Sequence, residues 1–216
     1  MKTITEYQLN IGFINKYTQQ IIKNIKKESL VVYLFLHDLW QKTEACSEDE
    51  LFQFVFRSFY RMDSAGLSED FKKEFFILMK ENRRKNNPNI YDICLKLYEI
   101  KNLKNQNSIQ FSFVTKLANT IDPSLPIYDS EVAKMYGYRQ TPKKDHTERL
   151  RNLMEFYTKI SKDYKHFAKN GDFNKILLIF DKKFSSLENR ISITKKLDFI
   201  IWSAGKLFKK TKKAGS

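Results

Sequence analysis

The stretch that decides the fold is Ile109–Gly137, which reads IQFSFVTKLANTIDPSLPIYDSEVAKMYG. Its first part places apolar residues at helical spacing, which predicts a helix with one buried side. Asp122-Pro123 ends that helix near Thr120, because the residue before a proline is pushed out of the α region. A rigid proline-containing turn follows, and Asp129 or Ser130 then caps a second, short helix that the final glycine closes.

Two ionisable residues in this stretch are candidates for chemistry. Lys116 lies inside the apolar run, among Phe111, Phe113 and Leu117, and burial there would favour a neutral amine. Asp129 stands at the start of the second helix. Each also has an ordinary structural explanation. A single lysine on an amphipathic helix is usually a surface residue with its amine in water, and an aspartate before a helix is usually only a cap.

The order of these residues resembles the active-site half of the helix-hairpin-helix DNA glycosylases. In that superfamily a lysine at the start of one helix precedes a segment Pro-φ-x-Asp-x-x-Val, with φ apolar, that carries an essential aspartate. Lys116 matches the family lysine, and Pro126-Ile-Tyr-Asp129-Ser-Glu-Val132 matches the aspartate segment. The resemblance covers residues 109–137 and is closest to the archaeal 8-oxoguanine glycosylase branch, in which the hairpin glycines are altered.

One feature of the family is missing. The family hairpin usually has a Gly-φ-Gly turn whose backbone amides hold a DNA phosphate, and glycine permits that close approach. The residues before Lys116, from Gln110 to Thr115, contain no glycine. The polar connector Lys101–Ser108, with residues 109–115, takes the hairpin's place if the resemblance holds. Either the turn is built differently here or that phosphate contact is lost.

Composition favours a helical protein without cofactors. A chain of 216 residues suits one large domain or two small lobes, and 18 Phe with 11 Tyr exclude wholesale disorder. The sequence has no long apolar run and no signal-peptide core, so we expect a cytoplasmic protein, nucleoid-associated when on DNA, with no membrane partner. Cys46 and Cys94 match no metal spacing and are too few for the four-cysteine iron–sulfur cluster of some helix-hairpin-helix glycosylases. We therefore expect no metal and no cofactor.

The net charge of +14, from 39 basic and 25 acidic residues, favours anionic partners, with nucleic acid foremost. A lysine-rich proteome is the alternative explanation. The tail at residues 206–216 holds five lysines and no acid. Candidate DNA-contacting residues are Arg83, Arg84, Lys85, Arg139, Lys143 and Lys144. The first three also lie where a helix should end, and cations are favoured at that position.

The residue pattern predicts helices along the whole chain, and no segment fits a strand better than it fits a helix. Expected helices include residues 10–27, 91–100, 173–187 and 194–209. Ser47-Glu-Asp-Glu50 has the form of a capping box, and Ser68 is expected to cap a further helix. We predict an all-α fold of about ten helices in two packed lobes with a cleft between them, as one glycosylase-like domain over residues 1–216. Residues 109–137 are its active-site segment.

The resemblance implies a specific chemistry. Cutting an N-glycosidic bond develops positive charge at C1′ of the sugar, and the Asp129 carboxylate would stabilise it. Attack of the Lys116 amine on C1′ would expel the base and leave a Schiff base that leads to strand cleavage. A lysine with an aspartate thus implies a glycosylase with lyase activity, whereas an aspartate alone implies a glycosylase that uses water.

The target base must leave the duplex and enter a pocket lined by aromatic or apolar side chains. Phe113, Tyr128 and Trp202 are candidates for this pocket, although each could equally be a core residue. Asp198 is an isolated acid on an apolar helix face and is a candidate partner of Lys116 that would support it without touching the substrate. Its alternative is a buried acid paired with a backbone group.

The expected function is a monomeric DNA glycosylase and abasic-site lyase acting on double-stranded DNA, with an 8-oxoguanine-like purine as the favoured base. A modified phage base, excised as antiviral defence, is an alternative substrate. A non-catalytic basic DNA-binding protein of glycosylase fold is the first rival. A helical protein that binds other partners, and no DNA, is the second.

Overall fold

The structure is a computed structural model, and it describes residues 6–42, 44, 46–85, 88–140 and 145–214. These residues are helical and contain no strand, which confirms the predicted all-α class. The eleven α-helices in the described ranges are α1 (Ile11–Lys16), α2 (Thr18–Asn24), α3 (Lys27–Lys42), α4 (Glu50–Phe59), α5 (Glu69–Asn82), α6 (Ile90–Tyr98), α7 (Phe111–Ile121), α8 (Ser130–Met135), α9 (His146–Asn170), α10 (Asn174–Lys183) and α11 (Ile193–Ala214). Short 3₁₀ turns occupy Cys46–Glu48 and Ser185–Arg190.

The chain divides into two compact units. The central unit is Glu28–Leu125 and holds α4 to α7 with nearly all of α3. The terminal unit joins the described residues up to Lys27 to those from Pro126 onward, and so holds α1, α2 and α8 to α11. Lys116 therefore belongs to the central unit and Asp129 to the terminal unit.

The central unit is built on aromatic side chains from α4 and α5. Phe56 is fully buried, and its ring lies 5.6 Å from that of Phe75 and 5.9 Å from that of Phe52. Ser68 caps α5 as predicted, because its hydroxyl accepts from the Phe71 amide. α7 packs against α5 and α6. The apolar face of α7 is thereby fixed in the unit's core.

The predicted capping box at Ser47-Glu-Asp-Glu50 is wrong. Asp49 caps α4 instead, and its carboxylate accepts from the Phe52 amide at 2.7 Å. Ser47 lies two residues earlier, in a 3₁₀ turn. Its side chain is buried there, and its carbonyl accepts from the Gln53 side chain. An aspartate immediately before the helix is as good a cap as serine, and it wins here because it stands at the first non-helical position.

In the terminal unit α11 packs against α1, α2, α8 and α9. The approach to α8 is closest at Gly205, where a Cβ atom would stand 2.4 Å from the Glu131 carbonyl oxygen. Glycine is required there because any side chain would meet the backbone of α8. Near α8, the ring of Tyr138 stacks on the ring of Phe156 on α9, with their centres 3.9 Å apart.

Several predicted helix limits need correction. The helix expected at residues 10–27 is two helices, because Tyr17 leaves the helical region with φ −111° and ψ 21°. Ile14 and Ile21 remain buried on either side of this break, so the apolar periodicity alone could not reveal it. The helix expected at 173–187 ends at Lys183 and continues as a 3₁₀ turn, whereas α11 runs on to Ala214 instead of ending near 209.

Candidate active-site residues

Lys116 is half-buried against aromatic rings in the central unit. Its ammonium lies 4.7 Å from the centre of the Phe113 ring and 5.5 Å from that of Tyr60. It also donates a hydrogen bond to the Ser112 hydroxyl at 3.0 Å. Aromatic faces attract a cation, and the serine one turn earlier fixes the direction of the amine. The amine is thus held in one place while part of the side chain stays accessible to solvent.

Asp129 is the N-cap of α8, and so the cap is the first of the two residues that the sequence offered. Its Oδ1 atom accepts from the amides of Glu131 at 2.8 Å and Val132 at 3.0 Å. Its backbone is extended, with φ −148° and ψ 177°, as a cap residue requires. Two main-chain donors therefore fix the orientation of this half-buried carboxylate.

Two buried hydrogen bonds hold the segment that leads to Asp129. The Tyr157 hydroxyl on α9 donates to the Pro126 carbonyl at 2.9 Å. The Ile127 amide donates to Oδ1 of Asp198 on α11 at 3.1 Å. Both contacts are buried, where a hydrogen bond is directional and costly to break. α9 and α11 thus fix the backbone immediately before the carboxylate.

Asp198 belongs to a buried charged cluster of the terminal unit. Its Oδ2 atom lies 3.6 Å from the Lys195 amine, and both side chains are almost fully buried. Burial raises the pKa of Asp198 to about 6, although Lys195 and the Ile127 amide oppose the shift. Burial lowers the pKa of Lys195, against the opposing charges of Asp198 and Asp129. Burial is the main cause that raises the pKa of the Tyr164 hydroxyl, and the negative charges of Asp198 and Asp129 raise it further.

Asp198 was a candidate partner of Lys116, and the contacts that the structure gives it lie inside the terminal unit. It bonds a backbone amide, which is the alternative that the sequence left open, and it pairs with Lys195. Sequence reasoning missed Lys195. The available signal was its position three residues before an acid on the apolar face of α11, since residues three apart are neighbours on a helix.

The three candidate pocket residues lie in different surroundings. Phe113 is buried in the central unit beside the Lys116 amine. Tyr128 packs edge-on against Phe156 in the terminal unit, with ring centres 6.1 Å apart. Trp202 on α11 is half-buried, and the Lys206 ammonium lies 3.6 Å above its ring. Trp202 thus already carries a cation on one face.

The basic candidates also differ from one another. Arg83 donates to the Trp40 carbonyl and lies 4.2 Å from the Trp40 ring, so it has a structural role in the central unit. Arg84 is exposed, and its guanidinium lies 3.6 Å from Glu44. Lys85 and Arg139 are both exposed. Lys143 and Lys144 lie outside the described residues.

The turn between α6 and α7 is built by asparagines. The Asn102 side chain accepts from the amides of Lys104 and Gln106, and the Asn102 carbonyl accepts from the amide of Asn105. Asn105 adopts φ 57°, the left-handed conformation in which glycine is usually found. Three successive amides are therefore used inside the turn. In this arrangement they are not available to a phosphate.

Substitution at Asn105 should show that this turn needs its left-handed residue. We expect Asn105→Ala to lower the free energy of unfolding by about 1–2 kcal/mol, because a Cβ opposes positive φ. The matched variant Asn105→Gly should be nearly neutral or stabilising, since glycine adopts this conformation readily. Urea unfolding of both variants measures the difference. Equal stabilities for the two variants would contradict the turn as described.

Comparison of the chain with protein-family models, with curated proteins and with solved structures finds no match. The likeness to glycosylases therefore rests on residues 109–137 and on the chemistry of their side chains. Among the residues that the structure describes, no helix combines the length and apolarity needed to cross a membrane. The same residues contain no group of three or more histidine, cysteine or acidic side chains arranged to hold a metal ion.

Proposed function

We propose that this protein is a DNA glycosylase with associated lyase activity that excises a damaged or modified base, with an 8-oxoguanine-like purine favoured. The observation that carries the proposal is the Asp129 carboxylate, oriented by two amides at the head of α8. The segment before it is fixed by buried contacts to Tyr157 and Asp198. A rigidly placed carboxylate suits a reaction in which positive charge develops on a sugar.

The proposed reaction needs no oxidant and no metal. The Lys116 ammonium first gives up a proton. The neutral amine then attacks C1′, the bond from C1′ to the base breaks, and its electron pair leaves with the base. The departing base takes up a proton and the amine loses one, so charge is conserved. Opening of the sugar ring then puts a proton on the ring oxygen and gives a Schiff base between Lys116 and C1′. Loss of a proton from C2′ forms a C2′–C3′ double bond and expels the 3′ phosphate by elimination. Asp129 stabilises the positive charge on the sugar in the first step.

A second candidate is a protein that binds DNA and catalyses no reaction on it. One observation favours it: both key residues already have structural tasks. Asp129 caps a helix, and Lys116 bonds Ser112 and lies against two rings. A capping aspartate and a ring-bound lysine would occur in a binding module for those reasons alone. The two candidates differ in whether a covalent intermediate forms.

Borohydride trapping tests the proposal. The protein is incubated with a duplex carrying 8-oxoguanine, and separately with a duplex carrying an abasic site, in the presence of borohydride. We expect a covalent adduct with the wild-type protein on both duplexes and none with Lys116→Ala, because reduction fixes only a Schiff base. Lys96→Ala is the matched control. This lysine of the same unit pairs at the surface with Glu81 and should leave the adduct unchanged.

Asp129→Asn should slow base release by about 10²–10³-fold, the usual cost of removing one charge-stabilising group, while leaving trapping on the abasic duplex largely intact. An adduct that persists in Lys116→Ala would show that another amine is the nucleophile. Tight binding with neither base release nor an adduct on either duplex would contradict the enzyme proposal and favour the second candidate, a non-catalytic DNA-binding protein. Base release without an adduct would indicate a water-using glycosylase that depends on Asp129.

A further inference from the structure

A basic groove lies on the terminal unit, at the end of α8 opposite to Asp129. We define it by Asn10 before α1, Lys134 and Gly137 at the end of α8, Arg139 in the following loop, and Phe208 and Lys209 on α11. Its volume is about 600 Å³, which exceeds what a single small anion fills. All of its lining residues belong to the terminal unit.

The groove is lined by basic side chains. Among the residues that the structure describes, no acidic side chain lines it. Arg139 and Lys209 are exposed and have no ion pair among the residues that the structure describes, while Lys134 pairs with Glu131 at 2.7 Å. The cavity along α5 in the central unit is different, because it mixes four basic residues with three glutamates. Two unpaired cations therefore face solvent on a concave surface.

We propose that the basic groove binds the phosphodiester backbone of the DNA strand whose target nucleotide lies at Asp129. This inference rests on the proposed function. α8 has six residues and a rise of 1.5 Å per residue, so its two ends, one at Asp129 and one at the groove, are only about 9 Å apart along the helix axis. Each nucleotide of a DNA strand advances about 3.4 Å along the duplex axis. A strand engaged at Asp129 would thus bring a phosphate near its target nucleotide to Arg139 and Lys209.

The ends of α8 and α11 at the groove, and the turn before α7, bear on this partner. The end of α8 carries a partial negative charge of about one half, which disfavours an anion, but the full charges of Arg139 and Lys209 outweigh it. Lys209 also lies near the end of α11, where a cation stabilises a helix without any ligand. The asparagine turn before α7 uses its own amides. These amides therefore do not make the backbone contact of a glycine hairpin, and the groove offers another place for a phosphate.

The test compares two charge-matched double variants in the Asp129→Asn background, in which base release is expected to be slow. Arg139→Ala/Lys209→Ala removes the two groove cations. Lys165→Ala/Lys169→Ala removes two exposed lysines of α9 in the same unit. Affinity for a fluorescent 24-base-pair duplex is measured by anisotropy between 50 and 300 mM salt. We expect the groove variant to bind about tenfold more weakly or worse, with the slope of log K against log salt reduced by about two. The α9 variant should bind as its parent does.

Each outcome decides the inference. Equal losses in the two double variants would show that only net charge matters and would overturn it. Equal competition by poly-glutamate of the same total charge would overturn it too, because the groove would then be a general anion surface. Groove-dependent DNA binding by a protein that forms no Schiff base would leave the groove standing while the proposed function fails. Unchanged DNA affinity in the groove variant of a protein that does release the base would remove the groove alone.

Discussion

Gly205→Ala is expected to lower the free energy of unfolding by about 3 kcal/mol, as severe overpacking does. The new Cβ would stand 2.4 Å from the carbonyl oxygen of Glu131 and 2.8 Å from its carbonyl carbon. These are backbone atoms, so no side-chain rotation can relieve the overlap, and α8 and α11 must separate. Within an exposed helix the same change would stabilise by about 1 kcal/mol, so the expected sign comes from packing alone. Urea unfolding at neutral pH measures it.

Gly12→Ala is the matched control for this substitution. Gly12 also lies in a helix of the terminal unit, but a Cβ there would meet only the Asn10 side chain, at 3.8 Å. We expect that variant to be as stable as the wild-type protein or slightly more so. If both alanine variants unfold alike, the tight contact between α8 and α11 is contradicted.

The same contact connects packing to the candidate site. Glu131, which the added Cβ would displace, donates its amide to the Asp129 carboxylate. Separation of α8 from α11 therefore also moves the carboxylate. In Gly205→Ala we expect the base release proposed for this protein to fall well below that of the wild type even at temperatures where the variant is fully folded, because catalysis depends on positions finer than an ångström.

The local features of the candidate segment could be predicted from the sequence. The helix around Lys116, its end before Pro123 and the cap at Asp129 each depend on residues within four positions of one another. Capping, proline geometry and helical spacing act over that range, so a single sequence contains the information. The capping error at Ser47 arose within the same range, where two good caps competed.

The long-range contacts of the segment could not be predicted in this way. Ile127 and Asp198 are 71 residues apart in the chain, and Tyr157 reaches Pro126 across 31. Such pairs depend on how α9 and α11 pack, and helical periodicity reveals which face of a helix is buried but not what it is buried against. The turn at Asn105 was missed for another reason: asparagine adopts positive φ only in certain contexts, so its presence does not signal such a turn as glycine does.

Asp198→Ala is expected to lower the free energy of unfolding by about 3–5 kcal/mol at pH 7, because it leaves both the Ile127 amide and the Lys195 amine without their buried partner. Lys195 is only 3% exposed. Asp198→Asn keeps an oxygen that can accept from the Ile127 amide and should lose much less, because burial disfavours the carboxylate charge that it removes. Asp181→Ala is the control. Asp181 pairs with Lys196, the residue that follows Lys195 on α11. The Asp181 side chain is 22% exposed, so we expect a smaller loss, of about 1–2 kcal/mol.

The pair itself is tested by adding Lys195→Met to Asp198→Ala, which should recover part of the lost stability, since replacing both partners of a buried pair is often neutral. The pH dependence separates the carboxyl from the amine. Because burial raises the pKa of Asp198 to about 6, the folded protein binds one more proton than the unfolded chain between about pH 4 and 6. This group therefore makes wild type more stable as pH falls through that window, by up to about 1.4 kcal/mol per pH unit. Asp198→Asn should lose that contribution. Identical pH profiles for the variant and the wild type would mean that Asp198 does not titrate in this window. Its carboxylate would then be better solvated than its buried position beside Lys195, Tyr164 and Asp129 implies.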